Sequence, residues 1–80
     1  MTMTRDEARG WIAEVLMDKV RNDRYASATQ MSMIEELLPQ EMVQEYLEVL
    51  LEKVADDQFP SIPMLQRIQR VAQTLPATQR

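Results

Sequence analysis

The chain has 80 residues, 45% of them apolar and 28% charged, with nine Lys and Arg against thirteen Asp and Glu, and neither His nor Cys. One small domain spanning 1–80 is expected, and because so short a chain buries only about 60–65% of the surface it exposes when unfolded, its core supplies modest stability and dimerisation is natural. Without imidazole or thiol it lacks the usual zinc ligands, the commonest general base, a cysteine nucleophile and any disulfide, so the expectation is a non-enzyme with no cofactor and no metal.

Thr4 and Glu7 stand at capping-box spacing, with the Thr hydroxyl accepting from a free backbone N–H and the Glu side chain reaching back, which starts a first helix over about 5–22. Its apolar stripe is Ala8, Trp11, Ile12, Val15, Leu16 and Val20, with Trp11 as a core anchor or the centre of an interface and Met17 at the core edge. Gly10 lies inside this helix at about 1 kcal/mol against Ala, and its lack of a side chain would admit another helix closely. After a turn over 22–26, in which Tyr25 folds back on the hinge, Ser27 and Gln30 offer a second capping box. The helix that follows faces inward with Met31, Ile34, Leu37 and Leu38 and stops at Pro39.

Pro also suits a first helical turn, so a third helix is expected from near Pro39 to about Asp56, burying Val43, Tyr46, Leu47, Leu50, Leu51 and Val54. In the turn 56–60, Phe59 takes the part of Tyr25. Ser61 then caps a fourth helix, with Pro63 in its first turn, Ile62, Leu65, Ile68, Val71, Ala72 and Leu75 inward, and Pro76 at its end. Residues 77–80 are expected to be a frayed tail.

Sliding the chain by 34 residues lays Glu14–Val20 over Glu48–Val54 with five identities in seven. Asp23 then falls on Asp57, Tyr25 on Phe59, Ser27 on Ser61, Met31 on Leu65 and Ile34 on Ile68. The expected fold class is therefore all-α, four helices as two duplicated αα-hairpins, about 5–38 and 39–76, in a compact bundle or an orthogonal array. A 34-residue period of paired helices resembles that of tetratricopeptide repeats, which are protein-binding solenoids. The Trp, Leu-Gly, Tyr, Ala and Pro positions of that family are not matched, and no function is carried over.

Catalytic material is confined to carboxylates. Glu35-Glu36, Asp56-Asp57 and the series Glu41, Glu45, Glu48, Glu52 are expected on solvated helix faces, which lack the contrasting environments that acid and base roles require. Asp18, Asn22 and Asp23 offer oxygen ligands without a calcium-loop pattern, and the single glycine lies in a helix, where it cannot form a phosphate loop. No apolar run approaches the roughly 20 residues of a membrane span, and Met1–Glu7 contains no leader-like apolar core; a cytoplasmic protein with no membrane partner is expected.

Charge is unevenly placed: residues 35–57 hold eight acidic side chains and one basic, whereas 58–80 hold three basic and none acidic. Glu41, Glu45, Glu48 and Glu52 form a negative stripe along the third helix, answered either by Arg67 and Arg70 or by a partner with a basic surface. Met33 and Met42, beside the main apolar stripes, and Trp11 complete the candidate contact residues, since thioethers and indoles suit adaptable binding surfaces. The expected function is a small helical protein–protein interaction module, an accessory or regulatory adaptor of a bacterial type. One alternative is a helix-turn-helix-like transcriptional regulator binding DNA as a dimer through the second or fourth helix, with Lys19, Arg21, Arg24, Arg67 and Arg70 as contacts. Net charge −4 makes nucleic acid an unfavoured partner. A second alternative is a self-assembling structural homodimer with Trp11 or Leu51 in its seam.

Overall fold

The computed structural model describes residues 2–23 and 26–76. Among the described residues every element is helical: α1 spans Arg5–Asn22, α2 Ala28–Leu37, α3 Val43–Ala55 and α4 Ile62–Ala72, with a 3-10 turn at Gln40–Met42. The chain divides into two units, Met1–Gln40, in which α1 packs on α2, and Glu41–Arg80, in which α3 packs on α4. The expectations for Tyr25 and for a frayed tail at 77–80 lie outside the described residues.

Side-chain caps set three of the four helix starts. Thr4 Oγ1 accepts from Glu7 N at 3.1 Å and Thr4 N donates to Glu7 Oε1 at 3.2 Å, which completes the first capping box. Ser27 Oγ accepts from Gln30 N at 3.3 Å, but the return half of that box is missing, since the buried Gln30 Oε1 has no hydrogen-bond partner. Ser61 Oγ accepts from Met64 N at 3.2 Å, and Pro63 lies in the first turn, where its missing N–H is harmless.

Two boundaries differ from expectation. The third helix begins at Val43, because residues 40–42 make a tighter turn and Met42 caps without a side-chain bond. The fourth ends at Ala72, short of Pro76, since Pro76 has no N–H to donate to Ala72 O. Here the Thr74 and Leu75 N–H groups donate to Val71 O and Ala72 O, and the Thr74 hydroxyl also donates to Val71 O at 2.7 Å.

The core of the first unit is Ala13, Met17 and Val20 of α1 against Met31 and Ile34 of α2. Thus α1 turns a different face inward from the expected one: Trp11, Ile12 and Val15 are exposed, and Met17 lies at the centre, 1% exposed. Gly10, Ala13, Met17 and Val20 share one side of the helix, and the small residues among them let α2 and its C-terminal extension lie close. Gly10 meets Pro39 there and not another helix: a Cβ built on it would lie 3.9 Å from Pro39 Cγ, an ordinary contact. Arg9 Nη2 donates to Glu36 O at 3.0 Å, satisfying one of the free carbonyls at the end of α2.

In the second unit Val43, Tyr46, Val49 and Leu50 of α3 and Val71 of α4 are buried. Val49 joins the expected set and Leu51 leaves it, 47% exposed. On α4 the inward side is Met64, Arg67, Ile68 and Val71, whereas Ile62 and Leu65 face solvent at 65% and 40% exposure. Phe59 does not fold onto the hinge; it is 82% exposed, and its N–H donates to Asp57 Oδ1 at 3.0 Å, a local turn that carries the ring outward.

Candidate interaction surface

An apolar exposed surface lies on the outer side of α1. Met3, Ala8, Trp11, Ile12, Val15 and Leu16 line an open hollow with no polar side chain among them. Its centre is Trp11, 60% exposed, flanked by Ile12 and Val15 at 45% and 47%. The face exists because α1 has apolar residues on two sides and α2 covers only the side carrying Ala13, Met17 and Val20. A continuous apolar strip rimmed by charge is the usual form of a protein-binding face, and a tryptophan at its middle is the residue type most often found as an energetic anchor.

The acidic stripe occupies the outer side of the second unit. Glu41 in the 3-10 turn and Glu45, Glu48 and Glu52 of α3 are all exposed, on the side of the helix opposite the buried Val43 and Leu50. The methionines part company: Met33 of α2 is 44% exposed, whereas Met42 is half-buried as the N-cap of α3. Trp11 and Met33 belong to the first unit; Met42 and the four glutamates belong to the second.

Of the DNA-facing candidates, Lys19 and Arg21 are exposed in the last turn of α1, Arg67 is half-buried and Arg70 exposed on α4, and Arg24 lies outside the described residues. The second helix carries no Lys or Arg and ends on two glutamates and a leucine, a poor match to a phosphate-lined groove. A polar hollow at the end of α1 is lined by Asp18, Lys19, Asn22, Asp23 and Gln30, and the Asn22 amide donates to Asp18 O at 2.9 Å. Among the described residues no group of three or more His, Cys, Asp or Glu side chains is placed to hold a metal ion, and no helix is long and apolar enough to cross a membrane.

Periodicity alone favours the stripe of large residues as the inward side of α1, whereas the buried side is that of Ala13, Met17 and Val20. The signal that finds it is the line Gly10, Ala13, Met17, of which Ala13 and Met17 are buried while the bulkier side is left free. No protein-family model, curated protein or solved structure matches the chain.

Proposed function

We propose that this protein is a non-enzymatic helical protein–protein interaction module, an accessory or regulatory adaptor, whose contact surface is the outer face of α1. The observation that carries the reading is a tryptophan 60% exposed at the centre of an uninterrupted apolar strip. Taking an apolar side chain of this size from full exposure to full burial is worth about 1.5–3 kcal/mol, so a partner that covers the exposed half of each of Trp11, Ile12 and Val15 recovers roughly half of that per residue.

In the 34-residue correspondence, which we take to reflect two copies of one ancestral hairpin, the aligned positions differ in burial. Ile12, Val15 and Leu16 lie over Tyr46, Val49 and Leu50, which are 0%, 2% and 0% exposed. The side of α1 left open is thus the counterpart of a side that the second unit uses as core. The stripe Glu41, Glu45, Glu48, Glu52 provides a second contact for a partner with a basic surface, and Met33 supplies adaptable apolar area on the first unit. A cysteine-free composition agrees with a reducing compartment, and we place the module in the cytoplasm.

The test is capture of binding chains on immobilised protein, comparing the wild type with Trp11→Glu and with the double variant Glu45→Lys/Glu48→Lys. Trp11→Glu should lose most of the captured material while keeping its helical circular dichroism. The double reversal should weaken capture of basic partners with thermal stability nearly unchanged. Undiminished capture by Trp11→Glu would remove the α1 face from consideration.

A further inference from the structure

The α1 face has a charge arrangement that selects its own occupant. At 3.6 residues per turn, Ala8, Trp11, Ile12 and Val15 form one seam along the helix. Glu7, Glu14 and Asp18 run down one border of that seam and Arg5, Arg9 and Lys19 down the other, all six exposed. The acidic side ends in the exposed Arg21, seven residues after Glu14; on the basic side Arg5 and Lys19 stand in line with Ile12, and Arg9 lies outside them with its guanidinium on Glu36 O.

Building on the proposed role of this face, we infer that it is covered by the same face of a second copy of the chain, with the two α1 helices parallel. Turning a copy through half a revolution about an axis parallel to the helix lays the acidic border of each against the basic border of the other, on both sides of the seam at once. Lys19 then stands level with Asp18 of the other copy and Arg5 with Glu7, within about 3 Å of rise. An antiparallel pair, made by an axis across the helices, sets acid on acid and base on base, which repels. The side carrying Ala13, Met17 and Val20 points away from the seam, so α2 does not obstruct the approach.

The exposed face brings area to a reversible dimer. Aromatic side chains bury about 150–250 Å² each, so Trp11 alone brings on the order of 100 Å² from its exposed part. A specific reversible pair needs on the order of 1,000 Å² in total. This is the lower end of specific interfaces, where association falls in the micromolar range.

Sedimentation equilibrium of the full chain from about 1 μM to about 1 mM tests this. The expected result is a mass rising from one chain to two, with Trp11→Glu weakening the association by about thirtyfold or more. Register is read separately with Ala8→Cys, since the chain has no cysteine of its own. Mild oxidation should join two copies through position 8 in a parallel pair and leave an antiparallel pair unjoined, because there the two sites lie at opposite ends of the seam.

Charge is tested with two double variants. Arg5→Glu/Lys19→Glu and Glu14→Lys/Asp18→Lys should each be weaker dimers alone and should form a mixed dimer together. A mass of one chain at every concentration, or dimers that fail to join through position 8, would overturn the inference. If the chain is monomeric and Trp11→Glu still abolishes capture of another protein, the second copy is refuted while the α1 surface stands.

Discussion

Met17 and Trp11 lie six residues apart on one helix and meet opposite surroundings, the thioether 1% exposed and the indole 60% exposed. Their energetics should separate accordingly. Met17→Ala opens a cavity between α1 and α2 and is expected to destabilise the protein by about 2–5 kcal/mol, whereas Trp11→Ala should stay within about 0.5 kcal/mol in dilute solution. Urea denaturation of the two variants measures both, and equal losses would contradict the assigned faces. The sequence left the choice of face ambiguous for a physical reason. Apolar residues surround much of α1, and size favours Trp, Ile and Val as core, yet close packing on a neighbouring helix favours the side with Gly10 and Ala13. Phe59 shows the same limit, since an aromatic ring in a turn goes where the turn's own hydrogen bond sends it, and here Asp57 holds the backbone so that the ring faces water.

Helix starts were the most legible elements, because a cap is local. Thr4, Ser27 and Ser61 each bond a backbone N–H three residues on, within the same short stretch that announces them. Helix facing was less legible, because it depends on which neighbour covers which side; on α4 the half-buried Arg67 takes an inward place while Ile62 and Leu65 lie outside. Propensity within a helix is a local property too, and Gly10 tests it. Its backbone is not in a left-handed conformation, and an added Cβ makes only an ordinary contact with Pro39. Gly10→Ala should therefore stabilise α1 by about 1 kcal/mol and raise Tm by about 4–8 °C, as read by calorimetry. A lowered Tm would show that Pro39 has no room to accept the methyl group.

At the level of the whole molecule, two units of about 40 residues each rest on small cores, a size at which helical hairpins gain much from association. Where folding and pairing are linked, stability depends on concentration. A tenfold increase in protein should raise Tm by about 2–5 °C, and a midpoint independent of concentration would count against self-association. The all-helical architecture follows from composition, caps and periodicity, which act within each segment. The contact surface belongs to the assembled hairpin, since it is whatever α1 retains after α2 has taken its side. This division of α1 also governs what its single indole reports. A fluorimeter trained on that chromophore would record little as isolated chains melt, because the ring is already wet. Its emission would move toward the blue when another molecule arrives, so the probe most often used to follow unfolding would here register company.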